Sequence, residues 1–197
     1  MIQNNSNLLI NPSSMIQLEY TPPPLGLIFL AAMDNSTKII DMALYPEFKI
    51  EQYIIENKPK VVGVPIYTVG RNESLKLLKI AKKHGAITVA GGPHVPLMYT
   101  MDWKPEEEYP YIDHFVIGDG EYAWEEITKN VDDRKGIIWK TNRKDLPDLN
   151  NLPLPAYEKT DHRKYPARTS CVKEWRGIDL TIEPRYSIVF GRGCLGK

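Results

Sequence analysis

Short apolar runs alternate with helical periods over residues 7–142. Leu8, Leu9 and Ile10 form a buried-strand signal that ends in the turn cluster Asn11, Pro12, Ser13 and Ser14. Three prolines at 22–24 stiffen the approach to residues 25–32, a short helix apolar nearly all round. Residues 38–43 predict a second strand. Pro46 suits the first turn of a helix reaching Asn57, with Phe48, Tyr53, Ile54 and Ile55 on its apolar side. Residues 60–68 (KVVGVPIYT) are the clearest buried strand, although Pro65 removes one ladder donor. Asn72 is placed to cap a helix whose Leu75, Leu78, Ile80 and Ala81 face inward, ending at His84 and Gly85. Strands over 86–90 and 112–117 are closed by Gly91-Gly92-Pro93-His94 and by Gly118-Asp119-Gly120-Glu121. A helix over 122–131 and a terminal strand over 136–140 complete the pattern.

Strands alternating with helices of this length predict an α/β fold, a doubly wound parallel sheet covered on both faces. Ligands of such sheets bind beyond the carboxyl ends of the strands. The loops at 11–14, 91–94 and 118–121 all follow strands, so they converge on that edge. No internal repeat is visible.

After Asn142 the pattern changes. Residues 145–157 (DLPDLNNLPLPAY) carry three prolines and no helical period, which reads as an extended linker. Residues 161–184 mix charge with scattered aromatics and define no element, and 186–190 read as a strand. The expected organisation is a cofactor domain over 1–144, a linker and irregular extension over 145–185, and the opening of a second domain over 186–197. A buried strand followed by only a few residues looks cut from something longer.

Composition narrows the class. The 197 residues carry 25 basic and 25 acidic side chains, so no basic face for nucleic acid is indicated. Hydrophobic residues at 42% argue against disorder. Two cysteines, Cys171 and Cys194, cannot staple a secreted mini-protein, and a disulfide between them is disfavoured in a reducing compartment. The Asn-rich start lacks a basic n-region, and no apolar run approaches the roughly 18 residues of a membrane span. These features predict a soluble, cytoplasmic protein. The acidic residues 106–108 read as a solvated loop, and Trp103, Trp124, Trp139 and Trp175 as packing or interface residues.

The final heptapeptide supports three readings. Gly191, Gly193 and Gly196 satisfy the dinucleotide fingerprint, and 191–197 also satisfies a phosphate loop lacking its last hydroxyl residue. Alternatively, Cys194 opens the C-x-x-x-C-x-x-C spacing of a [4Fe–4S] cluster whose fourth iron coordinates substrate.

The ordered set Pro23-Pro24-Leu25-Gly26-Leu27, Gly91-Gly92-Pro93-His94, Gly118-Asp119-Gly120-Glu121, Leu152-Pro153-Leu154-Pro155-Ala156-Tyr157 and Gly191-Arg192-Gly193-Cys194 distinguishes them. Together they resemble the cobalamin-binding domain of cobalamin-dependent radical S-adenosylmethionine enzymes, running into the start of the radical domain. The resemblance covers residues 7–197. It implies a flavodoxin-like sheet of about five strands with cobalamin over their carboxyl ends. The cluster and S-adenosylmethionine would belong to the full-length parent, which would methylate unactivated carbon or phosphorus, cyclise or rearrange its substrate. Cys194 would be the first of three cluster ligands, and this chain alone would not be catalytic.

Under that resemblance Gly91 and Gly92 let the cofactor's nucleotide tail approach the backbone. Pro93 and His94 follow them in the same loop. Thr68 offers a hydroxyl at the same edge, and Pro12 and Ser13 would lie under the corrin. Gly118, Asp119 and Gly120 turn the last loop beneath the ring or tail. Glu121 serves either as ligand contact or as an acidic helix start favoured by the dipole. His84 reads as a cation at a helix C-terminus and His114 as structural. The D-x-H-x-x-G loop of methionine-synthase-type cobalamin proteins is absent, since Asn11-Pro12-Ser13-Ser14-Met15-Ile16 has no histidine. Base-off binding with no histidine beneath cobalt is therefore expected. The first helix is about one turn shorter than is usual in the family. The expected partners are cobalamin, a radical domain in cis or trans, and a second copy of the chain through the face that domain would cover. Two other readings stay open: an α/β interaction or regulatory module that has lost cobalamin binding, and a truncated P-loop nucleotide hydrolase.

Overall fold

The computed structural model describes residues 6–13, 23–100, 104–130, 137–141, 148, 150–165, 174–175 and 178–179. Cys171, Cys194, the strand read at 186–190 and the terminal glycine cluster lie outside them.

Six strands form one parallel sheet: β1 (Asn7–Asn11), β2 (Thr37–Asp41), β3 (Val61–Pro65), β4 (Ile87–Gly91), β5 (His114–Ile117) and β6 (Ile137–Lys140), in the order β2-β1-β3-β4-β5-β6. This is the flavodoxin-like α/β arrangement, with β6 added beyond β5. The order reverses at β1, which pairs with β2 on one side and β3 on the other. β1 and β3 are buried along their whole length, which is why their residues read as continuous apolar runs rather than alternating ones.

One face is covered by α2 (Ile50–Asn57), α3 (Arg71–Lys83) and α4 (His94–Thr100), around a core that includes Ile54, Leu78, Met98 and Phe115. The other carries α1 (Leu25–Ala32) and α6 (Glu121–Lys129), with Leu9, Leu27, Val89, Trp124 and Ala156 between helices and sheet. A single turn, α5 (Pro105–Glu108), lies between α4 and β5.

Several local expectations are corrected. Helix α2 begins at Ile50, not at Pro46, because Phe48 N–H bonds back to Tyr45 O at 3.0 Å and closes a turn first. Its buried positions are Ile50 and Ile54, four apart on one stripe, whereas Ile55 faces solvent. The N-cap of α3 is Gly70 at φ +86°, so Asn72 lies inside the first turn and makes no cap bond. Leu77 joins Leu75, Leu78 and Ala81 in the core, while Ile80 is only half-buried. The residues read as an acidic loop form α5, with Glu107 and Glu108 exposed. His94 starts a helix where only a loop was read, because Pro96 falls in the first turn of α4, where its missing N–H leaves no bond unmade.

Buried polar groups are tied into the frame. Asp113 takes both Lys82 contacts at 2.7 Å and the Thr88 N–H at 2.9 Å. His114 is fully buried and accepts from Trp139 Nε1 at 3.1 Å, the structural role expected of it. His84 is the C-cap of α3, the position expected of it, and its Nε2 lies 2.9 Å from Glu51 Oε1.

The chain after the sheet returns to it. Ala156 N–H donates to Ile28 O at 3.3 Å and its methyl is buried against α1. Lys159 Nζ reaches the carbonyl of Ala31 at 2.7 Å, in the last turn of α1, and that of Asp34 at 2.9 Å, just beyond it. Burial lowers the pKa of Lys159, against the opposing pull of Asp34 and Glu158. Tyr165 O–H donates to Asp41 Oδ2, and Asp41 Oδ1 in turn accepts from Asn11 Nδ2 and from Ala43 N–H, both at 2.9 Å. A two-residue ladder, β7 (Glu174–Trp175) with β8 (Ile178–Asp179), lies further on.

Candidate functional site

The carboxyl ends of β1, β3, β4 and β5 share one edge, and a cleft of about 370 Å³ opens on the α1–α6 side. Its floor is a row of three central strand residues: Leu9 of β1, Gly63 of β3 and Val89 of β4, in register with one another. The indole of Trp124, from α6, lies against Gly63: a β-carbon on Gly63 would stand 2.7 Å from Trp124 Cζ3. Gly63 is therefore the close-approach residue that an isolated glycine inside a strand signals. Trp124 is fixed from behind, because its Nε1–H donates to Thr37 Oγ1 at 3.1 Å.

Leu25, Gly26, Leu27, Phe29 and Leu30 make one wall. This explains a helix apolar nearly all round: α1 turns one side to the sheet and another to the cleft. Val116, Pro65 and Tyr67 contribute above the floor. Burial, then the charge of Asp41, raises the pKa of the Tyr67 phenol.

The rim carries seven of the residues singled out from sequence: Gly91, Gly92, Pro93, Gly118, Asp119, Gly120 and Glu121. Gly92 stands at φ +91°, and a β-carbon there would meet Ile66 O at 2.9 Å, so only glycine fits without distortion. The same crossing is closed by Ile66 N–H donating to Gly91 O at 2.7 Å. Asp119 is held from its backbone, its carbonyl accepting from Thr141 Oγ1 at 2.6 Å. Glu121 is the first residue of α6 and only 4% exposed, a carboxylate at the positive end of a helix.

Four residues singled out from sequence do not line the cleft. Thr68 and His94 meet each other instead, Oγ1 to Nδ1 at 3.1 Å, beside its edge. His94 Nε2 is buried without a hydrogen-bond partner among the described residues, and burial, then the charge of Arg71, lowers its pKa. Pro12 and Ser13 follow β1 at the same sheet edge, Pro12 buried and Ser13 half-buried. Conversely, Leu9, Gly63, Val89 and Trp124 form the floor and were not singled out. Among the described residues, no cluster of three or more His, Cys, Asp or Glu side chains is arranged to hold a metal ion. No helix among them is long and apolar enough to cross a membrane.

A reversing parallel sheet with a glycine-edged cleft beyond its strand ends defines a ligand-binding α/β domain. The model of the B12 binding domain matches residues 14–128, more than half of the chain, and the protein belongs to that family. None of the curated proteins matches it.

Proposed function

We propose that this chain binds cobalamin base-off, with the nucleotide end of the cofactor in the cleft and the corrin across the strand ends, as the cofactor domain of a radical S-adenosylmethionine enzyme. The observation that carries the binding mode is the shape of the site. The cleft holds about 370 Å³, within the roughly 300–1,000 Å³ range of small-molecule sites, room for a nucleotide base but not for a corrin with its amide side chains. Its mouth is bare backbone at Gly91 and Gly92. The residues present fit the group: an apolar slot for the base, a glycine edge for the tail, and the Asp119 and Glu121 carboxylates at the rim to accept hydrogen bonds from sugar hydroxyls or side-chain amides. Bound cobalamin supplies a cobalt centre able to carry a methyl group. This chain's residues bind and orient it and keep water from the buried base.

No histidine follows β1, and this supports the base-off form without a histidine beneath cobalt. The radical enzyme context rests on the ordered motifs that end at Cys194. In that reading Cys194 is one of three thiolates of a [4Fe–4S] cluster, the other two supplied from outside this chain, and the substrate is bound by the cluster domain. The test is to titrate the purified chain with hydroxocobalamin, desalt it and record its absorption spectrum. Stoichiometric retention with a base-off spectrum is expected. A nitrogen-ligated Co(III) spectrum would overturn the binding mode. Loss of all corrinoid on desalting would overturn cobalamin binding and favour an interaction module.

A further inference from the structure

We infer that Thr141, the residue just past β6, is a positioning residue for corrinoid binding: it sets the rim loop Gly118-Asp119-Gly120 in its binding shape before any ligand arrives. The inference rests on the function proposed above and adds to it a residue that does not itself line the cleft.

The loop's own sequence favours a loose turn. Two of its three residues are glycine, the residue with the most backbone freedom to lose. The loop joins β5 directly to α6, whose first intrahelical bond runs from Trp124 N–H to Gly120 O at 2.8 Å. Gly120 is the N-cap of α6 and has no side chain to fix that first turn. Yet the loop carries Asp119 and leads straight into Glu121, the two carboxylates at the rim. Their placement therefore depends on a tether from elsewhere in the fold.

β6, the strand added at the sheet's edge, delivers that tether, because Thr141 meets three consecutive residues. Its N–H donates to Ile117 O at 3.0 Å, carrying the parallel ladder one residue further. Gly118 stands at φ +90°, and a β-carbon there would lie 3.2 Å from Thr141 O and 3.3 Å from Thr141 Cβ, so the turn rests directly on that residue. Thr141 Oγ1 then donates to Asp119 O at 2.6 Å. From the other side, a β-carbon on Gly120 would lie 3.3 Å from Leu30 Cδ2 of α1. The loop is thus gripped between the edge strand and the cleft wall. A glycine loop ordered in advance spares a ligand the entropy of ordering it, and that saving is realised as affinity.

The test sets dissociation constants of the full chain for hydroxocobalamin beside its urea midpoints. Thr141→Val keeps the branched shape without the hydroxyl and should bind about threefold to tenfold more weakly. Thr141→Ser keeps the hydroxyl and should bind as the parent does. Thr88→Val is the control, since it deletes a hydroxyl that also donates to a loop carbonyl, Tyr111 O at 2.7 Å, but at the amino end of the sheet. It should lower the urea midpoint and leave the dissociation constant within about twofold of the parent's. In the unmutated chain without ligand, NMR order parameters of the Gly118 and Gly120 amides should lie near about 0.85, the value of rigid backbone. The inference is overturned, with cobalamin binding left in place, by any of four results: a valine variant within about twofold of its parent, a serine variant as weak as the valine one, equal weakening by Thr88→Val, or loop order parameters below about 0.6. No binding by the parent chain would refute the functional reading, and this inference with it.

Discussion

Replacing Gly63 by alanine probes the packing on which the cleft depends. The added carbon would lie 2.6 Å from Leu9 Cδ2, 2.7 Å from Trp124 Cζ3 and 3.2 Å from Trp124 Cη2. Carbon atoms pack at about 3.5–4.0 Å, so one or both side chains must retreat by about 1 Å. Neither is a loose end. Leu9 and Trp124 are each 1% exposed, and the indole is tethered to Thr37. Overpacking a filled core costs about 1–3 kcal/mol. Alanine also restricts the unfolded chain, which stabilises by about 0.4–1 kcal/mol. The clash wins, and the expected net loss is about 1–2 kcal/mol. Urea unfolding followed by circular dichroism measures it as a lower midpoint at unchanged slope. In a Trp124→Phe background, which removes the outer indole ring, the cost of alanine should fall by at least about 0.5 kcal/mol. An alanine variant as stable as its parent, or the same cost in both backgrounds, would refute this account of the floor.

Two further outcomes follow from the polar groups around the sheet. Tyr165→Phe removes a buried donor from Asp41 Oδ2 and should cost about 1.5–3 kcal/mol in the same unfolding assay, the range for a hydrogen bond to a charged group; a change within about 0.5 kcal/mol would show the tyrosine to be incidental. His94 has a native pKa below its ordinary 6.5 because it is desolvated and faces Arg71. The unfolded chain therefore takes up its proton first, so this residue's contribution to stability is present above pH 6.5 and falls away as the pH drops through 6.5 toward the lower native value. NMR titration of the ring should show the low midpoint, and His94→Gln should flatten that part of the pH–stability profile.

The strands were legible because a parallel sheet buries both faces, so the centres of β1 and β3 stand out as apolar runs and β4 as one interrupted only by Thr88. The rim was legible for a different reason: Gly91, Gly92, Gly118 and Gly120 cluster just where strands end. What escaped was created by tertiary pairing. Gly63 and Trp124 are each ordinary in their own segments and acquire meaning only when α6 lays the indole on β3. Thr68 and His94 sit at the expected edge, yet their side chains bond to each other beside the cleft, which residue type and position alone do not reveal. Helix α4 escaped because Gly92, Pro93 and Pro96 look like loop chemistry until Pro96 falls in a first turn. The returning segment escaped most completely. Lys159 to Ala31 spans 128 positions and Tyr165 to Asp41 spans 124, and no local pattern encodes such partners.

That returning segment also makes the cleft wall a shared part. Residues 156–165 clasp α1 through Ala156 and Lys159 and β2 through Tyr165, and α1 is the wall against which a ligand would press. Any ligand that orders α1 must then steady the clasp, and by thermodynamic reciprocity whatever pulls on the clasp loosens the ligand to the same extent. The stretch beyond the sheet thus meets the cleft only at second hand, through the wall it holds in place.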